Sequence, residues 1–157
     1  MTTGPGRPGR PGRIEIETRI DAPPEVVFSY LIDPAKLVIW EGEHAALDPT
    51  PGGIFRVVLK HDYVMRGEFV EVTPPTRLVI TFGWEHEGGA LDQGSTLITY
   101  ELSADGDGTL LRFTHSGLPE RRVDDHTRGW TRYMGRLKVA AEGGNPGEDA
   151  ITKRESS

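Results

Sequence analysis

The sequence predicts an α+β fold of the helix-grip type, in which a curved antiparallel sheet wraps around one long C-terminal helix. Apolar and polar residues alternate over much of residues 43–116, and this period of two is typical of half-buried strands. After Gly117-Leu118-Pro119 the apolar period changes to about 3.6 residues, which is typical of an amphipathic helix. We expect this helix to cover the concave face of the sheet, because no other predicted element is long enough.

The composition is that of one globular domain. The chain has 157 residues, of which 36% are hydrophobic and 27% charged, with a formal net charge of -6 at pH 7. Nucleic acids and anionic membranes attract clustered positive charge, so we expect neither as a partner. The absence of cysteine excludes disulfides, thiolate metal sites and cysteine nucleophiles. No apolar run approaches the ~20 residues of a membrane helix, and the N-terminus lacks a signal core, so a cytoplasmic location is expected.

Segments rich in Pro and Gly delimit the expected domain. Residues 1–13 combine Pro and Gly with three arginines and almost no apolar side chains, which predicts a disordered arm. This arm either aids solubility or contacts an acidic partner. Residues 142–157 begin with Glu-Gly-Gly-Asn-Pro-Gly and predict a flexible tail. The folded domain is therefore expected to span residues 14–141.

The N-terminal part of this domain is expected to contain one strand and two short helices. Residues 14–20 alternate apolar and polar side chains and predict the first strand. Pro23-Pro24 is suited to a first helical turn, and Asp33-Pro34 is expected to end that helix. A second short helix is expected over residues 35–39. The apolar stripe of the first helix is predicted at Val26, Val27, Tyr30 and Leu31.

Alternation predicts which strand side chains face the core. A hairpin turn is predicted at His61-Asp62, between two alternating segments. A second is predicted at Asp105-Gly106-Asp107-Gly108, because Asp-Gly accepts the positive φ angles of tight turns. The inward side chains are predicted to be Phe55, Val57, Leu59, Tyr63, Met65, Leu78, Ile80, Phe82, Trp84, Ile98, Tyr100, Leu102, Leu111, Phe113 and His115. The buried face of the C-terminal helix is predicted at Val123, His126 or Thr127, Trp130, Tyr133, Met134, Leu137 and Ala141.

Four motifs occur along these elements. They are Trp40-Glu41-Gly42, Asp-Pro-Thr-Pro-Gly-Gly-Ile-Phe-Arg at 48–56, Gly-Glu-Phe-Val-Glu-Val-Thr-Pro-Pro at 67–75, and His-Ser-Gly-Leu-Pro at 115–119 followed by Gly129-Trp130. Together they resemble the AHSA1-like branch of the START/Bet v 1-like (SRPBCC) superfamily, named after the C-terminal domain of the activator of Hsp90 ATPase. The resemblance covers about residues 14–140.

The resemblance implies a long hydrophobic cavity between the sheet and the C-terminal helix. Members of the wider superfamily bind lipids, sterols, polyketides and other apolar ligands, and a minority are cyclases, dehydratases or hydrolases. The chain shows no separate N-terminal Hsp90-docking domain, so Hsp90 is not an expected partner.

The aromatic side chains on the inward faces would suit such a cavity, since small-molecule pockets are mostly apolar with a few polar groups. The alternative is that they only fill the core. Trp40 and Trp84 are expected near the cavity mouth. The expected ligand-binding residues are Trp40, Phe55, Tyr63, Met65, Phe82, Trp84, Tyr100, Phe113, His115, Trp130 and Met134.

His115 is the strongest candidate for acid–base chemistry, because an inward imidazole would orient a ligand carbonyl or move a proton near neutral pH. The alternative is a structural histidine, bonded to the Ser116-Gly117 turn or to the start of the helix. His126, Asp124 and Asp125 are interpreted as capping and solvated groups, since their spacing does not match a zinc site. Neither a metal nor a cofactor is expected.

Three hypotheses of function follow. The first is binding of a small hydrophobic or amphipathic ligand in the cavity. The second is an enzyme of cyclase or hydrolase type that uses His115 with Tyr100 or Glu101. The third is a chaperone-associated or regulatory interaction module, suggested by the arginine arm and the acidic charge. A homodimer is compatible with the exposed sheet edges.

Overall fold

A computed structural model describes residues 12–60, 63–85 and 91–147, apart from the side chain of Lys60, and it confirms the helix-grip fold. The strands are β1 (Ile14–Ile20), β2 (His44–Leu47), β3 (Ile54–Lys60), β4 (Tyr63–Thr73), β5 (Arg77–Phe82), β6 (Thr96–Asp105) and β7 (Gly108–Ser116). The helices are α1 (Pro24–Ile32), α2 (Pro34–Trp40) and α3 (Val123–Ala141), with a 3₁₀ turn at Glu120–Arg122.

The strands form one antiparallel sheet in the order β1-β7-β6-β5-β4-β3-β2. The first strand pairs with the last along its whole length, from Ile14 opposite His115 to Ile20 opposite Thr109. The predicted turn between β6 and β7 is confirmed, and Gly106 has the positive φ of +62° that such a turn requires. The predicted turn at 61–62 lies outside the described residues.

The two short helices follow from local sequence signals. Pro24 stands in the first turn of α1, and the Asp33 carboxylate caps α2 by accepting from the Ala35 backbone N–H at 2.9 Å. The predicted stripe of α1 is wrong at Val26, which is 37% exposed. Phe28 is buried instead, because the core-facing side of the helix runs through Val27, Phe28 and Leu31.

The long helix α3 covers the concave face of the sheet. Its buried side chains are Trp130, Tyr133, Met134, Leu137, Ala140 and Ala141. Their spacing of three and four residues confirms the predicted amphipathic face. The Arg136 Nε donates to the carbonyl of Trp40 at 2.9 Å, and the Lys138 Nζ donates to that of Arg19 at 2.8 Å. The C-terminal half of α3 is therefore fixed to both α2 and β1.

The ends of the domain have more contacts than the predicted arm and tail suggest. Residues 1–11 and 148–157 lie outside the described part, but the Gly12 carbonyl accepts from the Leu118 backbone N–H at 3.1 Å. The Glu142 carboxylate accepts from the backbone N–H of Asp21 at 2.8 Å and from Lys138 at 2.7 Å. In the described residues, no helix is both long and apolar enough to cross a membrane.

The packing of α3 against the sheet predicts which helix side chains contribute most to the free energy of unfolding. The Leu137 side chain is fully buried on the inner face of α3, whereas that of Val139 in the same turn is 39% exposed. We expect Leu137→Ala to lower the free energy of unfolding by about 2–5 kcal/mol, since it leaves a cavity in the core. The control Val139→Ala is expected to change it by about 0.5 kcal/mol or less. Urea denaturation measures both, and equal losses would contradict the described packing.

Candidate ligand-binding cavity

A cavity of about 330 Å³ lies between the sheet and the N-terminal half of α3. This volume is at the lower end of the range of small-molecule pockets. The Tyr63 side chain, 41% exposed, and the Asp125 carboxylate mark its opening to solvent. The cavity is lined by Leu59, Tyr63, Met65, Phe82, Trp84, Asp125, His126, Gly129, Trp130 and Tyr133.

Five of the eleven residues expected to bind ligand line this cavity, and six do not. Those that line it are Tyr63, Met65, Phe82, Trp84 and Trp130. Those that do not are Trp40, Phe55, Tyr100, Phe113, His115 and Met134, all of them buried in the core. These six side chains pack in the protein interior and not in the wall of this cavity.

Trp40 is not near the cavity mouth, so that expectation needs correction. Its side chain is fully buried, and its indole N–H donates to the carbonyl of Tyr30 at 2.9 Å. Its ring packs edge-to-face against Tyr133 at 6.4 Å. Trp40 therefore joins α2 to α3, because the end of α2 is covered by the helix that follows the sheet.

The aromatic rings of the cavity wall support one another. Phe82 packs edge-to-face against Trp84 at 5.6 Å and against Trp130 at 5.7 Å. Trp130 in turn lies 6.0 Å from Tyr133. Such pairs add stability beyond their apolar area and favour particular ring orientations. The wall is therefore held in place by contacts among its own side chains.

His115 lies behind this wall and fixes Trp130. The Trp130 indole N–H donates to His115 Nδ1 at 3.1 Å, so Nδ1 is the acceptor and the proton is on Nε2. Nε2 then donates to Thr96 Oγ1 at 2.8 Å, and Thr96 Oγ1 donates to the carbonyl of Phe82 at 2.8 Å. The chain of hydrogen bonds joins α3 to β5, β6 and β7.

These partners differ from the structural role considered for His115, which placed its bonds at the Ser116-Gly117 turn or at the helix start. The side chain is fully buried, and burial together with the nearby His126 lowers the pKa of His115 to about 3. The imidazole is therefore neutral near pH 7. This arrangement suits a positioning residue, one that orients Trp130 in the cavity wall.

His126 occupies the cavity mouth, where the interpretation as a solvated capping group needs correction. Its side chain is 9% exposed and lines the cavity. The Trp84 indole N–H donates to His126 Nε2 at 3.3 Å. His126 Nδ1 lies 2.8 Å from Asp125 Oδ1 and 3.0 Å from the carbonyl of Arg122, so Nδ1 carries the proton. The helical spacing of four residues from Trp130 was the signal for this position.

Glu85 follows Trp84 in the chain, and its carboxylate pairs with two arginines. Arg56 binds the Glu85 carboxylate through Nε at 2.7 Å and Nη2 at 3.0 Å, and Arg66 binds it at 3.0 Å. The hydrogen bonds and charges of the two guanidiniums hold the pKa of Glu85 down at about 2. Trp84 itself pairs with Met65 through a single antiparallel bridge. Because adjacent side chains of an extended segment point in opposite directions, Trp84 faces the cavity and Glu85 faces Arg56 and Arg66.

The three residues of the enzyme hypothesis do not meet at the cavity. Glu101 lies on the outer face of the sheet, where Arg77 binds it at 2.6 Å. Tyr100 is buried, and burial together with the charge of the buried Glu41 raises its pKa above the usual value. In the described residues, no three His, Asp or Glu side chains form a group that would hold a metal ion.

The buried histidine predicts a pH-dependent stability difference. Between pH 6.5 and about 3, the unfolded chain protonates His115 and the folded chain does not, so the contribution of His115 to wild-type stability falls as the pH falls. His115→Phe removes this term, but it leaves the Trp130 N–H without its acceptor. We expect it to cost about 1–3 kcal/mol at pH 8, and we expect the deficit to shrink below pH 6.5 by at most about 1.4 kcal/mol per unit.

Urea denaturation of both proteins between pH 8 and pH 4.5 measures this difference. The control is His44→Phe, which makes the same change on an exposed side chain of β2 and is expected to change stability little at pH 8. A deficit of His115→Phe that stays constant over the whole pH range would contradict the neutral, buried state of His115.

Known proteins share both the sequence pattern and the fold. The family model described as Activator of Hsp90 ATPase homolog 1-like protein matches residues 21–142. An AHSA1-like protein from Rhizobium etli is 39% identical over 88% of this chain and 87% of that chain, with a TM-score of 0.70. A protein from Mesorhizobium loti is 25% identical over 82% of this chain and 95% of that chain, with a TM-score of 0.73.

CalU16 from Micromonospora echinospora is 27% identical over 83% of this chain and 76% of that chain, with a TM-score of 0.67. None of the curated proteins compared with the chain matches it. The family match spans both short helices, the strands from β2 to β7 and all of α3, and the fold agrees with it. The chain therefore belongs to the family of activator of Hsp90 ATPase homologue 1-like proteins, within the START/Bet v 1-like superfamily.

Proposed function

We propose that this chain binds a small apolar or amphipathic molecule in the cavity between the sheet and α3. The observation that carries the proposal is a preformed cavity of about 330 Å³ with walls of aromatic and aliphatic side chains. Removing apolar ligand surface from water into such a site contributes about 25 cal/mol per Å². An aromatic molecule of two or three rings would fit this volume.

Rigid walls favour binding over collapse. The buried ring of Trp130 is held by Phe82 on one side and by the hydrogen bond to His115 on the other. Walls that are already ordered lose little conformational entropy when a ligand enters. Little of the favourable contact energy is then offset by ordering of the wall side chains, so the affinity is higher.

Binding is preferred to catalysis because the residues of the enzyme hypothesis lie away from the cavity. Tyr100 and His115 are buried behind its wall, and Glu101 pairs with Arg77 on the opposite face of the sheet. A homodimer, a cytoplasmic location and the absence of Hsp90 contacts remain predictions. Light scattering of the purified chain would test the homodimer.

Gly129 allows the cavity to be filled without removing any side chain. It lies in the cavity wall on α3, and beyond its own helix no heavy atom lies within 4 Å of the position that a Cβ would take. Gly129→Leu is expected to weaken binding of the neutral fluorophore N-phenyl-1-naphthylamine at least tenfold, because the leucine side chain occupies the ligand space. The increase in probe fluorescence on titration measures the affinity.

Gly135 on the same helix supplies the matched control. It is exposed, and its Cβ position is equally open, but it does not line the cavity. Both Gly→Leu changes are expected to raise helix stability by up to about 0.8 kcal/mol, so unfolding would not explain a loss of binding. Gly135→Leu should bind like the wild type. Equal binding by all three proteins, or no binding by the wild type, would contradict the proposal.

A further inference from the structure

We propose that the cavity selects neutral aromatic ligands that carry a hydroxyl group, and that this hydroxyl binds to both the Trp84 indole N–H and His126 Nε2 and replaces the bond between them. The inference rests on the proposed function and names the ligand class of the same cavity. Both side chains line the cavity, and their two nitrogens lie 3.3 Å apart.

The Arg122 carbonyl and the Asp125 carboxylate determine which nitrogen of His126 carries the proton. His126 Nδ1 lies 2.8 Å from Asp125 Oδ1 and 3.0 Å from the carbonyl of Arg122, and both of these oxygens accept hydrogen bonds. The imidazole proton is therefore held on Nδ1, and Nε2 presents a lone pair. Trp84 Nε1 is a donor only. A donor and an acceptor thus stand side by side in the wall of the cavity.

The hydrogen bond between them is 3.3 Å long and is open to the cavity mouth. The chemically identical pair of Trp130 and His115 makes a useful comparison. It is shorter, at 3.1 Å, and fully enclosed, and its second imidazole nitrogen is bonded to Thr96. Of these two pairs, the one at the mouth is the one that a ligand can reach.

A hydroxyl group matches this pair because it both donates and accepts. A hydroxyl that separates the two nitrogens would accept from the Trp84 N–H and donate its proton to His126 Nε2, so two hydrogen bonds would replace one. An ether would accept from Trp84 but leave the Nε2 lone pair without a donor. A carboxylate would also lack the proton, and it would meet the negative charge of Asp125 at the mouth.

The test compares 2-naphthol with 2-methoxynaphthalene, which share a ring system but differ in the donor proton. Isothermal titration calorimetry at pH 7 is expected to show that the wild type prefers the naphthol by roughly fivefold, the usual effect of one hydrogen bond. His126→Phe keeps an aromatic ring but removes the acceptor, so the preference should fall towards one. Trp84→Phe removes a donor that both ligands use, so both should weaken while the preference remains.

Each outcome decides the inference. A wild-type preference for the ether, or a naphthol preference that persists in His126→Phe, would overturn it. Binding of N-phenyl-1-naphthylamine without binding of either naphthalene would overturn the hydroxyl selection and leave the proposed function intact. No binding of any of the three compounds would overturn both.

Discussion

The position of α3 above the sheet depends on Trp130. The indole packs against Phe113 at 4.8 Å and against Phe82 at 5.7 Å, and its N–H donates to the buried His115. Large rings keep the two backbones apart at this point, so the helix cannot close onto the strands. Farther along, Arg136 and Lys138 tie α3 to backbone carbonyls of Trp40 and Arg19. The helix is thus held firmly at its C-terminal half, and the space remains at its N-terminal half.

Two indole–imidazole pairs share this end of the molecule and differ in their surroundings. In the inner pair, Nδ1 of His115 accepts and Nε2 donates to Thr96. In the outer pair the roles of the ring nitrogens are reversed, because Asp125 and the Arg122 carbonyl hold the proton on Nδ1 of His126. The inner pair lies in the core, and the outer pair gives a polar edge to a cavity that is otherwise lined mostly by aromatic and aliphatic side chains. The N-terminal half of α3 therefore carries one residue of each pair.

The fold could be predicted from the sequence because alternation and helical period are local properties. They place Phe82, Phe113 and Trp130 inward, and the structure buries all three. The extent of the cavity could not be predicted in the same way. Phe82 and Phe113 share the inner face of one sheet, yet only Phe82 lines the cavity. The difference comes from the local distance between α3 and the sheet. This distance depends on the volumes of the packed side chains, whereas alternation predicts only which side chains point inward.

The polar residues of the site were harder to predict than the aromatic ones. His126 follows two aspartates in the first turn of a helix, where charge is usually solvated. Its helical spacing from Trp130 indicates an inward position, but its contact with Trp84, 42 residues earlier in the chain, could not be predicted. His115 was predicted to face inward and does so, but its partners, Thr96 and Trp130, come from two other elements. Contacts across elements of this kind leave no local pattern in the sequence.

The three tryptophans allow the central claim, that the cavity between α3 and the sheet receives an apolar ligand, to be tested in one titration. Trp84 and Trp130 line the cavity, whereas the Trp40 indole donates to the Tyr30 carbonyl away from it. The measurement is a ¹H–¹⁵N correlation spectrum of the indole N–H groups during titration with N-phenyl-1-naphthylamine. If the cavity binds the probe, the signals of Trp84 and Trp130 shift and saturate together while that of Trp40 stays in place. Three unmoved signals, or a shift confined to Trp40, would contradict the claim.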